Sequence, residues 1–240
     1  MNVTLKNDLL SVVISSHGAE LQNITNIRTG QEYLWQGDAA FWGRRSPVLF
    51  PIVGAVWNNE YRVDGRSYKL GQHGFARDCD FEVVEDVPES EAWFVLESSE
   101  ATLEKFPFAF RLEIGYSLQG ERIDVMWRVT NPGSVEMPFQ IGAHPAFNYP
   151  DFSGADAVHA YFNIDGRDLH AQVIEQGGCV GSALREVTTD DGGMLALTPD
   201  TFAGDALIFA DSQVRRVSML DKHRAPYLTL FFRSPVVGLW

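Results

Sequence analysis

The chain has 240 residues, 45% of them hydrophobic, with 19 basic against 32 acidic side chains and a net charge of −13. A chain of this length buries a core without metal or disulfide staples, and an acidic field of this size disfavours nucleic acid and other polyanions. No stretch of about 18 apolar residues occurs that would suggest a membrane span, and Cys79 and Cys179 are too few for a disulfide framework.

The first residues, Met1 to Asp8, carry charges where a signal peptide needs an apolar run, so a reduced, cytoplasmic setting is expected. Composition shifts nowhere sharply enough to mark a linker, and one domain over 1–240 is expected.

β-like runs begin at Leu10 to Ile14 and Leu21 to Thr25. Tyr61-Arg62-Val63 and Arg66 to Leu70 flank Asp64-Gly65, a pair that tolerates the positive φ of a two-residue hairpin turn. Phe81 to Val87 and Trp93 to Leu96 follow. Ser99 can cap one or two helical turns to Lys105, which Pro107 ends.

Period-two alternation is clearest next. Phe110, Leu112, Ile114, Tyr116 and Leu118 share one side of a strand, with Arg111, Glu113, Gly115 and Ser117 opposite. After Gly120, Ile123, Val125, Trp127 and Val129 repeat the pattern, which predicts an antiparallel pair closed by Asn131-Pro132-Gly133. Further runs at Ala206 to Ala210, Val214 to Leu220 and Tyr227 to Phe232 complete an all-β reading.

Two segments carry the chemistry. Gly71 to Arg77 sets His73 between glycines and beside Phe75, a composition that suits a sugar but also an ordinary surface turn. Ile141 to Asn148 sets His144 before Pro145, which biases it to an extended strand end; a buried histidine satisfied by a carbonyl reads equally well. Imidazole exchanges protons near neutral pH.

With Pro47-Val48-Leu49-Phe50-Pro51-Ile52-Val53-Gly54, His73-Gly74-Phe75-Ala76-Arg77 and Gly142 to Pro150 in register, the sequence resembles the aldose 1-epimerase (galactose mutarotase-like) family, in its LacX-like branch. The resemblance implies a large twisted antiparallel β-sandwich, the galactose mutarotase-like supersandwich, and an aldohexose as small-molecule partner. It implies His144 as general acid at the sugar ring oxygen and His73 as the histidine that holds a sugar oxygen. Arg44 matches the sugar-contacting arginine, with Arg45 as rival. Asp205 matches an aspartate that accepts sugar hydroxyls, although a turn aspartate before a strand fits its surroundings nearly as well.

Such chemistry interconverts α and β anomers by acid–base ring opening and needs no cofactor or metal. The family's general base is a glutamate in a Glu-Pro-Trp-like segment beyond a strand similar to Tyr227 to Phe232. No residue here matches it, so the sequence is expected to be a shortened form lacking closing strands, with an apolar edge near Trp240. A noncatalytic carbohydrate-binding domain of the same fold and a hexose-6-phosphate 1-epimerase are the competing expectations, the latter suggested by Arg44 and Arg45.

Overall fold

The computed structural model describes residues 1–175, 178–190 and 192–240, and the chain is nearly all β. It divides into two compact units, Met1–Asn148 and Tyr149–Trp240. Among the described residues no helix is long and apolar enough to cross a membrane.

In the first unit, β1 (Asn2–Lys6), β2 (Leu10–Ser15) and β3 (Glu20–Asn26) form an antiparallel sheet in that order. Alternation in β2 buries Leu10, Val12 and Ile14 on one face, as its period of two requires. A short β4 (Val48–Leu49) lies in the Pro47–Gly54 segment. The hairpin of β5 (Glu60–Val63) and β6 (Arg66–Lys69) turns at Asp64 (φ 48°) and Gly65 (φ 79°), both in the left-handed region that a type I′ turn demands.

β7 (Glu82–Val83) is much shorter than the apolar run to Val87 suggests, and β8 (Glu91–Glu97) is longer than Trp93 to Leu96. Helix α1 (Glu100–Leu103) is a single turn, capped by the Ser99 hydroxyl accepting from Thr102 N–H. β9 (Arg111–Gln119) and β10 (Arg122–Thr130) pair from Arg122 opposite Gln119 to Thr130 opposite Arg111. The sheet order is β10-β9-β8-β7.

Phe110, Leu112, Ile114, Tyr116 and Leu118 are all buried. The opposite side of β9 is not simply wet, because the Trp93 ring lies over Gly115, where an added Cβ would meet it at 2.7 Å. β10 departs from expectation: as an edge strand it leaves Val125 41% and Trp127 38% exposed. Alternation predicts which residues share a face, but only sheet order decides whether that face is covered. The buried Tyr116 hydroxyl donates to the Ala19 carbonyl at 2.6 Å and ties β9 to the β2–β3 turn. β11 (Gly142–Ala143) pairs with β4.

In the second unit, β12 (Ala160–Ile164), β13 (His170–Ile174), β14 (Val180–Glu186) and β15 (Met194–Leu197) are strands the sequence pattern did not announce. β16 (Leu207–Phe209), β17 (Arg216–Leu220), β18 (Pro226–Phe231) and β19 (Val237–Leu239) follow. Two sheets result, ordered β15-β12-β17-β18 and β14-β13-β16-β19. Phe162, Ile164, Leu169, Phe209 and Val217 are among its buried residues.

Candidate functional site

The Pro47–Gly54 segment is the spine of the first unit's site, because both histidine segments hydrogen-bond to it. At one end His144 N–H donates to the Pro47 carbonyl at 3.0 Å, and Ala146 N–H to Arg45. At the other, His73 N–H donates to the Gly54 carbonyl at 2.7 Å, while Phe75 and Ala76 N–H both reach the Phe50 carbonyl. Segments far apart in sequence therefore converge on one stretch of backbone. The Phe50-Pro51 peptide is cis.

Gly74 is what lets the His73 loop sit so close. Its φ is +69°, and a Cβ there would stand 2.2 Å from the Phe50 oxygen and 2.6 Å from the Pro51 nitrogen. His73 itself has φ 65°, a conformation that costs a residue with a Cβ about 1–2 kcal/mol. Backbone strain of this kind is kept where surrounding contacts over-determine it, often at functional positions.

The two imidazoles meet edge to face, with ring centroids 6.0 Å apart. His73 Nδ1 accepts the Gly54 N–H at 3.0 Å. That bond places the proton of the neutral ring on Nε2, so His73 offers a donor. Burial, then the charges of Arg77, His144 and Arg44, pull its pKa down to about 4. His73 is a neutral hydrogen-bond donor at neutral pH.

His144 is also held below the ordinary histidine value, by burial first and by Arg77, against a hydrogen bond from its ring to its own backbone carbonyl that favours the charged form. The Trp42 indole packs against the ring with centroids 5.0 Å apart and planes at 42°. Trp42 is set in place by its N–H to the Asp38 carbonyl and by its own carbonyl, which accepts Trp35 Nε1–H at 2.8 Å.

Arg44 and Arg45 part company. Arg44 Nη2 donates to Asp78 Oδ1 at 2.6 Å, and its charge acts on His73. Arg45 points away: its Nη1 donates to the Gln22 carbonyl at 2.6 Å, and its backbone N–H is held by Glu20. Asp205 lies in the second unit, at φ 73°, with Oδ1 accepting the Ala206 N–H at 2.7 Å. Locally it is a turn aspartate before β16.

Trp42, Gly54 and the charge of Arg77 were not assigned roles from sequence. An aromatic two residues before a candidate sugar-contacting arginine was the available signal for Trp42. Gly54 and Arg77 stood inside recognised segments, but nothing local reveals a backbone N–H aimed at an imidazole or a guanidinium that acts on both rings.

The depressed His73 value has a consequence for folding. The unfolded ring takes up a proton near its ordinary 6.5, the folded ring near 4. Stability is therefore full above 6.5 and falls as pH drops from 6.5 towards 4, where the unfolded chain binds the extra proton. His73→Asn, which tolerates the left-handed backbone, is expected to lose less stability across this window. Urea denaturation at both ends of it checks this; equal losses in the two proteins would refute it.

Comparison with known proteins places these features in a family. A sequence model of the aldose 1-epimerase family matches residues 1–206. The chain is 37% identical over 160 residues to the chromosomal LacX protein of Lactococcus lactis subsp. lactis, a match covering 64% of this chain and 53% of that relative. It thus spans about half the length of the curated relatives it matches. The structure of a galactose mutarotase related enzyme from Lactobacillus acidophilus superposes with a TM-score of 0.90 at 34% identity, covering 100% of this chain and 80% of that one. A galactose mutarotase-like protein from Lactobacillus casei gives 0.86 at 31% identity, covering 99% and 86%.

Proposed function

The chain belongs to the aldose 1-epimerase family, and from that premise we propose that its first unit binds a pyranose aldohexose at the His73–His144 pair and promotes interconversion of its anomers. The observation that carries this reading is the division of labour between the two rings. His73, neutral with its proton on Nε2, can hold a sugar oxygen by donating to it. His144, the titratable imidazole 6.0 Å away between ring centroids, can carry a proton to the ring oxygen.

Ring opening passes one proton from the anomeric hydroxyl to solvent water and one from His144 to the ring oxygen; rotation of the aldehyde and reclosure reverse both transfers. A positioned acid is typically worth about 10²–10⁴-fold. The lowered His144 value makes the imidazolium a stronger acid and a less populated one, so its contribution rises as pH falls below neutrality. Trp42 supplies an aromatic face beside it of the kind that packs on sugar C–H bonds, and Arg44 a cation whose charge acts on His73.

A second reading has its own support. Among the described residues, the charges of Arg77, His144 and Arg44 act on His73, and that of Arg77 acts on His144, a surrounding that orders polar contacts to a sugar. On that reading the unit binds sugar without accelerating its mutarotation.

One pair of measurements separates the readings. Polarimetry of freshly dissolved α-glucose and α-galactose reports the rate, and the ring-proton NMR signals of His73 and His144 report binding. Shifts with a rate above buffer support the epimerase; shifts at the buffer rate support the binding module. No shift with either sugar sinks both.

A further inference from the structure

The loop that carries His73 has a second side. There the first unit holds a cleft of about 690 Å³ whose lining includes Lys69, Arg77, Lys105, Asn58, Asn59 and Gln72, and to which neither His73 nor His144 contributes. Clefts of this size accommodate small organic ligands.

Its charge is opposite to that of the chain. Three cations line it, against one carboxylate, Asp78, which Arg44 already engages at 2.6 Å. In a protein of net charge −13, such a concentration of positive charge is not what average composition produces. Amide side chains complete a lining rich in hydrogen-bond donors.

Arg77 is the most enclosed of the three cations. Its Nη2 donates to the Gln72 carbonyl at 2.8 Å, and its Nε is buried with no hydrogen bond among the described residues. Asp78 Oδ2 lies 3.9 Å from that nitrogen, beyond hydrogen-bond reach. A guanidinium is suited to oxyanions by its fork of N–H groups.

We propose that this cleft binds a phosphoryl group or comparable oxyanion, at a site separate from the imidazole pair and formed by Lys69, Lys105 and Arg77. The volume exceeds what inorganic phosphate fills, so the ligand class is a phosphorylated small molecule. The inference does not depend on the sugar reading. Arg77 links the two places, since its charge also bears on both histidines; an anion beside it offsets that charge and makes both rings easier to protonate.

The test titrates inorganic phosphate, then glucose 6-phosphate, into the full chain at low ionic strength, followed by backbone NMR shifts. Wild type is compared with the double variant Lys69→Gln/Lys105→Gln and with Lys222→Gln, a lysine of the second unit, as control. Both substituted cleft lysines are exposed, so unchanged shifts elsewhere verify the fold. Saturable binding that weakens about tenfold or more in the double variant alone is expected, since each tenfold corresponds to about 1.4 kcal/mol and a charged hydrogen bond contributes at least that much. In wild type, phosphate should also raise the pH at which the His73 and His144 ring protons titrate, against the fixed background of Arg44, Arg77 and Asp78.

His144→Gln distinguishes the source. If it weakens glucose 6-phosphate as much as the double variant does, the phosphoryl site is not separate from the imidazoles and the proposal fails; unchanged affinity shows that the cleft alone binds the ligand. No saturable shift with phosphate in wild type, or equal affinity in wild type and the double variant, overturns the proposal.

Discussion

Replacing His144 by glutamine is expected to lower the catalysed rate of aldose mutarotation about 10²–10⁴-fold, the range for loss of a positioned proton donor, while sugar affinity changes far less. Glutamine keeps a hydrogen-bonding amide near the position of Nε2 but has no proton to give at the ring oxygen. The backbone should tolerate it: His144 N–H pairs with the Pro47 carbonyl, and that bond does not involve the side chain. Polarimetry under saturating sugar measures the effect as kcat. Loss confined to KM would refute the acid role and make His144 a binding group. The pH profile gives a second check, since an acid whose value is held below the ordinary histidine range loses activity on the way up to neutral pH.

The second large effect is structural. Gly74→Ala should destabilise the first unit by about 3 kcal/mol or more, at the upper end of what single substitutions do. Two costs combine: φ of +69°, and a Cβ that would meet the Phe50 oxygen at 2.2 Å and the Pro51 nitrogen at 2.6 Å. Those are backbone atoms of the spine that also anchors His144, so no side chain can swing aside. Gly65→Ala is the control. It has a similar φ of +79° but nothing within 4 Å, and should cost only about 1–2 kcal/mol. Urea denaturation of the two variants measures the difference; equal losses would show that the close approach to Phe50 is unimportant.

The sequence foretold several elements for local reasons. The β5–β6 hairpin turns where Asp64-Gly65 says it must, because few residues accept that backbone. Ser99 caps a turn of helix, and the alternation over β9 matches its buried face. Family membership was legible as well, through three motifs in register. In contrast, β12 to β15 escaped notice. Short strands such as Ala160–Ile164 and His170–Ile174 become strands by pairing with partners remote in sequence, and no five-residue window encodes a partner.

The candidate site divides in the same way. Sequence alone determined which residue types were available: two imidazoles among glycines and aromatics, adjacent arginines, and an acidic chain around them. It left Arg44 and Arg45 as equals, because neighbours in sequence share their local surroundings. Tertiary structure parted them, sending Arg45 to the Gln22 carbonyl and Arg44 towards Asp78 and His73. It also set Trp42 against His144, placed the His73 proton on Nε2, and gathered Lys69, Arg77 and Lys105 around one cleft. Protonation and proximity depend on burial and on charges brought close by folding, and these are quantities that a linear order of residues does not contain.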